Sequence, residues 1–575
     1  MKLYLNGKDV NTFAIKTNHR VQEETAKKYF LKYVKLLTGK GLQEESENIV
    51  VFNANNEDDD FTEISLKGNV LTFSGGKRGI IYSVFTFLEK LGCRFYTPKM
   101  EKLPKTDGHL SDFSLVEQSP FIFRDVLDNE AKDKEWCLKN KINSDLWHTR
   151  KLKEEDGGAY TFVGIPAHSL TGEFLLKPFV ESNPEFFALK DGKRRTDAHG
   201  QVCMTNRDAI QKVTEEVKKL LAKNPDKNIV SVSSGDNDNF CECEKCKQSI
   251  HKIGLTNTYF NFVNAVARNI KKEYPKVLIH TFAYEMLDDF KDGFEFEDNI
   301  MVQFCLARNC KLHSLTDESC GLNVFALNNL KKCTSICKNI FIWEYINCFK
   351  YQLFPFPHIT HYREDIQAFR DLKVKGLFYE GAHRDWENVS FAGIRELKCY
   401  ILSKLMWKPD MSKEEYEEHI REFCQAFYGE GYEYVMEYLG LLSSFLGNVH
   451  ATYNCFDEQK NVVSFIPKEK TANFLQKARD LLSKALQKAN ETQTKGIKKL
   501  EIELLYYELF WTMKDILNCG DMQEKKNVLA KSKSLIDVII KENIPITFFG
   551  QSIESQNAEL IKMVAVPVSE WNYKW

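Results

Sequence analysis

The sequence predicts a (β/α)8 TIM barrel that is preceded by a small α/β domain and followed by an α-helical domain. Between residues 116 and 390, short strand-like runs alternate with amphipathic helical segments, and after about residue 390 the strand signals stop. Strands that alternate with helices are typical of parallel βα units, and a segment of this length suits a closed barrel. We therefore place the N-terminal α/β domain at 1–115, the barrel at 116–390 and the helical domain at 391–575.

The barrel strands are predicted from runs of β-branched and aromatic residues. Six runs are clear: Phe121–Val126, Ile229–Ser234, Val277–Tyr284, Ile300–Leu306, Ile340–Tyr345 and Gly376–Tyr379. Two fainter runs, near 141–143 and 184–189, complete the eight. An open, doubly wound sheet is the alternative, and the absence of a glycine-rich fingerprint after the first strand counts against it.

The two flanking regions have different patterns. In the first, Gly75 and Gly76 separate a strand-like run from a helical run that ends near Gly92. This spacing indicates a tight strand-to-helix connection rather than the full phosphate-binding motif. In the second, helical spacing continues to about residue 542, apart from a loop-like segment at 447–467, and the aromatic run 504–511 is predicted to be buried against the barrel.

Composition excludes two classes of partner. The chain has 575 residues and a formal net charge of −2, without a basic stripe of the kind that binds nucleic acid. It has no apolar run long enough to predict a membrane span. The first nine residues turn polar too early for a signal peptide, and the 16 cysteines are mostly scattered. Both features predict a cytoplasmic protein, with an extracellular or periplasmic location as the alternative if a leader has been removed.

Polar side chains recur where the predicted barrel strands end, which is where such barrels place their active sites. These residues are Asp236 and Asn237 after the fourth strand, Tyr284 and Glu285 after the fifth, Arg308 after the sixth, Trp343, Glu344 and Tyr345 on the seventh, and Glu380 and His383 at the eighth. His168 lies in the loop predicted after the second strand. Any one carboxylate could instead be a helix cap or a solvated loop residue, but the recurrence favours a site.

Carboxylates beside aromatic rings suit the cleavage of glycosidic bonds. That reaction needs an acid for the leaving oxygen and a second group that stabilises the positive charge at the sugar. Aromatic neighbours desolvate an acid and raise its pKa. The predicted catalytic residues are therefore Glu344, Glu380, Asp236 and Glu285. The predicted substrate-binding residues are His168, Tyr284, Trp343, Tyr345, Asn237, Arg308 and His383, with a glycan or glycoprotein as substrate.

Cysteines cluster at one place in the chain. Cys241, Cys243 and Cys246 fall within six residues, and Cys203, after the preceding predicted strand, is the candidate fourth ligand. Thiolates at such spacings can bind one structural zinc ion. Free loop thiols or a disulfide are the alternatives. Catalysis itself is expected to need no cofactor.

Several segments resemble known families. Residues 75–98 resemble the N-terminal domain found in front of α-glucuronidase and hexosaminidase-type barrels. Residues 183–189, 202–206, 262–267 and 343–345, with Leu405-Met406-Trp407-Lys408-Pro409, resemble the family called domain of unknown function 4838. The resemblance spans roughly residues 70–440. That family is similar to family 163 glycoside hydrolases, which are endo-β-N-acetylglucosaminidases acting on the chitobiose core of complex N-glycans.

The resemblance implies a retaining, substrate-assisted mechanism. In such enzymes the 2-acetamido oxygen of the substrate attacks C1, so the protein needs no nucleophile of its own. Glu344 is then the leading acid/base candidate and Glu380 the second. Asp236 would orient or polarise the acetamide, helped by Tyr284 or Tyr345.

Other functions remain open at this level. Glu285 is a reserve catalytic candidate. An exo-acting hexosaminidase or an α-glucuronidase-like hydrolase would have the same architecture. A non-catalytic carbohydrate-binding barrel is the alternative outside enzymes.

Overall fold

The computed structural model describes residues 1–55, 58–147, 152–197, 199–225, 227–346, 358–381, 394–447 and 468–517, with isolated positions between 523 and 541. The chain has an α/β fold in which a curled parallel sheet lies between an N-terminal α/β unit and a set of C-terminal helices.

In its described residues, the N-terminal unit has two α-helices and ten short strands. Its strands are β1 (Leu3–Leu5), β2 (Lys8–Asp9), β3 (Ala14–Thr17), β4 (Ile49–Ala54), β5 (Thr62–Lys67), β6 (Val70–Gly75), β7 (Arg94–Thr97), β8 (Met100–Lys102), β9 (Gly108–Leu110) and β10 (Phe113–Glu117). Its helices are α1 (Val21–Thr38) and α2 (Gly79–Lys90). Five of the strands form its main sheet, in the order β10-β5-β6-β4-β3, three form a second sheet (β2-β1-β9) and two form a hairpin (β7-β8). The predicted tight connection is present, since a Cβ on Gly79 would lie only 1.7 Å from the carbonyl oxygen of Phe61.

The central sheet has seven parallel strands in the order β11-β19-β18-β17-β16-β15-β12. They are β11 (Phe123–Leu127), β12 (Phe162–Val163), β15 (Ile229–Ser231), β16 (Leu278–Ala283), β17 (Ile300–Cys305), β18 (Asn339–Tyr345) and β19 (Gly376–Glu380), while β13 (Leu189–Lys190) and β14 (Lys193–Arg194) form a separate hairpin. The helices of this region are α3 (Lys134–Lys139), α4 (Arg207–Lys223), α5 (Glu244–Ile253), α6 (Leu255–Lys271), α7 (Gly321–Ile336) and α8 (Tyr362–Asp371).

The sheet curls around one interior cluster of side chains. Phe123 from one edge strand and Phe162 from the other belong to the same buried cluster as Phe282, Phe341 and Phe378 from the middle strands. A flat sheet would keep its two edges apart, so the shared cluster defines a concave interior. The predicted parallel α/β architecture is confirmed, whereas a fully closed eight-stranded barrel is not established.

Two of the eight predicted strands differ from the structure. The run at 184–189 is not a strand of the main sheet, because it forms a short 3-10 turn at Pro184–Phe186 and then enters the β13–β14 hairpin. The strand that pairs with β15 at this edge of the sheet is instead the two-residue β12. The run near 141–143 leads only to a single parallel bridge between Ser144 and Tyr160.

The C-terminal region is helical in its described part. It contains α9 (Arg395–Trp407), α10 (Lys413–Tyr428), α11 (Tyr432–Leu446), α12 (Lys468–Lys488) and α13 (Glu491–Leu517). Within the predicted aromatic run, Tyr506 and Tyr507 are buried, and the Tyr507 ring packs edge-on against Phe445 and Phe474. Among the described helices, none combines the length and apolar character needed to cross a bilayer.

Candidate active site

Strand β18 sorts its side chains onto two sides of the sheet. Successive residues of a strand point to opposite faces. Trp343 and Tyr345 belong to the interior cluster, whereas Ile340 and Ile342 pack in the outer layer towards the helices. Glu344 therefore points outwards.

Glu380, at the end of β19, points inwards with Phe378. The indole Nε1 of Trp343 donates a hydrogen bond of 2.9 Å to Glu380 Oε2, and the residue is 4% exposed. Burial raises the pKa of Glu380 to about 8, the indole hydrogen bond opposes the shift, and the negative charge of Asp236 adds to it. A carboxyl group with this pKa is largely protonated at neutral pH and can donate a proton.

The thiol of Cys305, at the end of β17, lies within electrostatic reach of four carboxylates. Burial raises the pKa of Cys305 well above its ordinary value, and the charges of Glu380, Asp236, Glu285 and Asp288 raise it further. Asp236 follows β15, Glu285 and Asp288 both follow β16, and Glu380 ends β19, so the sheet brings acids of three strands towards one sulfur atom. Asp236 is exposed, in contrast to Glu380. This end of the sheet thus carries one buried acid with a raised pKa, Glu380, and one exposed acid, Asp236.

Glu285 and Arg308, which were predicted separately, are partners. Arg308 Nε lies 3.4 Å from Glu285 Oε2, and its Nη2 lies 3.4 Å from Asp288 Oδ1. Glu285 has a φ of 53°, a left-handed conformation that is uncommon for a non-glycine residue and is often found at functional sites. Sequence reasoning missed Asp288 and Cys305. Their only signal was position, one in the loop after the fifth strand and the other at the end of the sixth.

The contacts of Glu344 are those of a buried ion pair, which differ from the environment expected of the leading acid. Its Oε1 accepts hydrogen bonds from Lys311 Nζ and, at 2.7 Å, from the Tyr345 amide. Lys311 is fully buried and also donates to the Leu306 carbonyl at 2.9 Å and to Asn309 Oδ1 at 2.5 Å. Glu344 is thus the anion of a buried ion pair on the helix side of the sheet, and Glu380 takes its place as the acid candidate.

Three predicted substrate-binding residues lie at the concave face. The rings of Trp343 and Tyr345 lie 6.5 Å apart within the interior cluster, and Tyr284 packs against that cluster. His168 is partly exposed, and its ring packs on Phe282 with centroids 5.5 Å apart. Its Nδ1 lies 2.9 Å from the Ser234 carbonyl, so that nitrogen donates to the backbone.

In its described part, the structure does not place the remaining two predicted binding residues, Asn237 and His383, at the concave face. Asn237 is engaged in its own loop, because its Nδ2 donates to the His199 carbonyl at 2.9 Å and its Oδ1 accepts from the Asn239 amide at 3.0 Å. This arrangement argues for a role in shaping the loop rather than in binding substrate. His383 lies outside the described residues.

The four predicted cysteine ligands come together beside this site. The sulfur atoms of Cys203, Cys241, Cys243 and Cys246 all lie within 4.8 Å of one another. Cys241 is five residues beyond Asp236 in the same loop.

Comparison with known families identifies the family of this chain. The profile of the family described as "Domain of unknown function (DUF4838)" matches residues 95–440. The chain belongs to the DUF4838 family. The matched segment begins in β7, includes the whole curled sheet and ends within α11. No curated protein matches the DUF4838 chain.

Solved structures show the same fold. A family 89 glycoside hydrolase from Clostridium perfringens, in complex with PUGNAc, has a TM-score of 0.53 at 12% identity. CpGH89 from Clostridium perfringens, in complex with its substrate GlcNAc-alpha-1,4-galactose, has a TM-score of 0.52, also at 12% identity. In both comparisons the match covers 90% of the DUF4838 chain and 65% of the other chain. Flavobacterium johnsoniae chitobiase is a weaker match, with a TM-score of 0.45, 11% identity, and coverage of 98% of this chain and 96% of that one.

Proposed function

We propose that this protein is a glycoside hydrolase that cleaves the bond beside an N-acetylglucosamine residue. The observation that carries the proposal is Glu380, a carboxyl group buried among aromatic rings at a strand end, with a pKa raised to about 8. An acid of this kind can protonate a leaving glycosidic oxygen at neutral pH. The fold shared with the family 89 enzymes is compatible with this chemistry.

The finer proposal is an endo-β-N-acetylglucosaminidase with a retaining, substrate-assisted mechanism. Glu380 gives its proton to the glycosidic oxygen as the bond from C1 breaks. The 2-acetamido oxygen of the substrate attacks C1 and forms a cyclic oxazolinium ion, while Asp236 interacts with the acetamide N–H. The Glu380 carboxylate then takes a proton from a water molecule that opens this ring at C1, and the acid is restored.

Aromatic side chains would hold the sugar beside these acids. Trp343 also donates the hydrogen bond to Glu380, so a sugar that stacks near this indole lies next to the acid. Tyr345 and Tyr284 extend the aromatic surface at the same face of the sheet. Flat rings suit the apolar face of a pyranose, and their hydroxyl groups can bind its polar edge.

An exo-acting enzyme is the second candidate. The family 89 enzyme of the same fold binds GlcNAc-alpha-1,4-galactose, a disaccharide with a terminal N-acetylglucosamine. The products separate the two activities. An endo-enzyme releases an oligosaccharide and leaves one sugar on the asparagine, whereas an exo-enzyme releases N-acetylglucosamine alone.

The test is product analysis by mass spectrometry on a glycoprotein with complex N-glycans and on N-acetylglucosamine-terminated oligosaccharides. Glu380→Gln keeps the size of the side chain but removes its acidity, and should lower kcat about 10²- to 10⁴-fold. Glu273→Gln, at a carboxylate that is 59% exposed in a surface ion pair, is the matched control and should keep full activity. Undiminished turnover by Glu380→Gln, or no released sugar from any substrate, would contradict the proposal.

A further inference from the structure

Four thiols meet at distances that suit a metal ion. Cys203 Sγ lies 3.6 Å from Cys241 Sγ, 3.7 Å from Cys243 Sγ and 3.9 Å from Cys246 Sγ. A disulfide requires about 2.05 Å between its sulfur atoms. Four sulfur atoms placed tetrahedrally about 2.3 Å from a zinc ion are about 3.8 Å apart. The three separations from Cys203 match edges of that tetrahedron, and all four sulfur atoms lie within 4.8 Å of one another.

Hydrogen-bond donors surround the cluster. The Leu189 amide donates to Cys241 Sγ at 3.3 Å, and Arg194 Nη1 lies 3.9 Å from the same sulfur. The Thr205 hydroxyl lies 3.2 Å from Cys246 Sγ. Donors around the ligand atoms orient them and stabilise thiolates bound to a metal. The arrangement therefore supplies both the ligands and the groups that support them.

The cluster joins the loop that contains Asp236 to a second segment, which contains Gln201 and Cys203. Cys203 follows Gln201 closely, and Cys241 and Cys243 precede α5 in the loop after β15. The Gln201 side chain accepts from the Gly235 amide at 3.0 Å and donates to the carbonyls of Gly235 and Asn237 at 3.1 and 2.8 Å. A bond between the two segments at the cysteines would fix the backbone on both sides of Asp236.

We propose that Cys203, Cys241, Cys243 and Cys246 bind one zinc ion, and that this ion holds the Asp236 loop in position. All four ligands are thiolates, which is typical of structural zinc sites. Zinc binding rests on the sulfur geometry alone, whereas the consequence for catalysis rests on the function proposed for Asp236. Asp236 is then the residue that meets the substrate, and the cysteines are positioning residues.

The first experiment measures metal content. The purified full chain should contain one zinc per molecule by mass spectrometry of the elements. Cys243→Ser, chosen because this cysteine is partly exposed, should lose the zinc, whereas Cys424→Ser, at a buried thiol of α10, should keep it. Absence of metal, iron in place of zinc, or unchanged zinc in Cys243→Ser would overturn the proposal.

A cobalt measurement covers the case in which Cys243→Ser fails to fold. Replacing zinc by Co²⁺ in the wild-type chain should give the intense visible bands of tetrahedral cobalt and a thiolate-to-metal charge-transfer band. Weak bands typical of octahedral cobalt with oxygen ligands would overturn the four-thiolate site.

Hydrogen exchange tests the positioning role. Removal of zinc by a chelator should increase amide exchange in residues 232–240 more than in β17 and β18. Unchanged exchange in 232–240 would overturn that role. The outcomes are distinguishable, because a zinc-loaded chain that cleaves no sugar retains the metal site and loses only the proposed function.

Discussion

At the scale of single residues, two buried glutamates in neighbouring strands have different environments. Glu344 Oε1 accepts a hydrogen bond from the Lys311 ammonium group, while Glu380 Oε2 accepts one from the neutral indole of Trp343. Glu344 is therefore paired with a buried cation, whereas burial of Glu380 without a cationic partner raises its pKa and favours the protonated acid. The environment thus assigns a structural role to Glu344 and an acidic role to Glu380.

The Trp343 hydrogen bond leads to a pH-dependent prediction. The indole stabilises the ionised form of Glu380, so Trp343→Phe should raise the pKa of Glu380 above its value of about 8. Because the first step needs the protonated acid, activity falls as pH rises through that pKa. The alkaline limb of the kcat/KM profile should therefore shift upwards by about one pH unit in Trp343→Phe.

The control for this prediction changes the packing without removing a donor. Phe378 packs against Trp343 with ring centroids 4.6 Å apart and has no polar atom in its side chain. Phe378→Leu should leave the alkaline limb close to the wild-type position. If the alkaline limb of the kcat/KM profile does not shift in Trp343→Phe, this hydrogen bond does not affect the catalytic pKa and the prediction is wrong.

At the scale of elements, the Lys311–Glu344 pair ties the segment after β17 to β18. Both side chains are almost fully buried. Glu344→Gln leaves the Lys311 ammonium group without its anion, so it should lower the free energy of unfolding by about 3–5 kcal/mol. The double variant Lys311→Met/Glu344→Leu should recover much of that loss. Chemical denaturation measures both.

Activity in the same variant separates the two glutamates. The folded fraction of Glu344→Gln should turn over substrate at a rate near that of the wild type, unlike Glu380→Gln. Asp289→Asn is the stability control. It removes one partner of a surface ion pair, in which Lys291 lies 2.7 Å from Asp289, and should lower the free energy of unfolding by less than about 1 kcal/mol. Native stability in Glu344→Gln together with a loss of kcat as large as in Glu380→Gln would return Glu344 to the catalytic site.

The buried parallel strands were predictable because both of their faces are apolar. The predicted runs at 300–306, 340–345 and 376–379 agree closely with β17, β18 and β19. The same property hid the direction of each side chain, because Ile340, Phe341, Ile342 and Trp343 are all apolar and show no alternation that marks the interior. The sequence therefore indicated acids at these strand ends without indicating which acid faces inwards.

The short elements were not predictable for a different reason. Strand β12 has two residues, too few to show any periodicity, and it pairs only with β15 among the described strands. The aromatic run around Phe186 and Phe187 predicts a strand, but both rings are buried in the outer core and the run does not join the central sheet. The two residues are apolar because they are buried, and an apolar run alone does not show whether its backbone pairs in a sheet.

At the scale of the whole molecule, charged contacts join the N-terminal unit to the rest of the chain. Glu89 of α2 pairs with Lys141 at 2.7 Å and with Lys404 of α9. Arg94 of β7 pairs with Glu422 of α10 at 2.8 Å. Burial raises the pKa of Glu89, but the two lysines outweigh burial and hold it below its ordinary value. The N-terminal unit is thus fixed to both the sheet region and the C-terminal helices.

Asp60 makes the most buried of these junctions. Its Oδ1 accepts from Arg78 Nε at 2.6 Å, and its Oδ2 accepts from Arg124 Nη1 at 2.9 Å and Asn143 Nδ2 at 2.8 Å. Burial raises the pKa of Asp60, yet the charges of Arg124 and Arg78 outweigh it and hold the pKa below its ordinary value. Asp60→Asn leaves Arg124 without this anion and leaves Arg78 with only the half-exposed Asp59, so it should lower the free energy of unfolding at pH 7 by about 3–5 kcal/mol.

The pH dependence of that loss follows from the sign of the shift. A lowered pKa stabilises the folded chain above the pKa of the unfolded state, about 3.9, and the stabilisation disappears as pH falls through the folded-state value. The difference in the free energy of unfolding between wild type and Asp60→Asn should therefore be largest near neutral pH and should become smaller below about pH 4. Asp59→Asn is the matched control, because Asp59 is 40% exposed and lies 3.5 Å from Arg78 Nη2. Denaturation midpoints measured across this pH range test the junction, and an equal, small loss in both variants would show that Asp60 does not join the two parts.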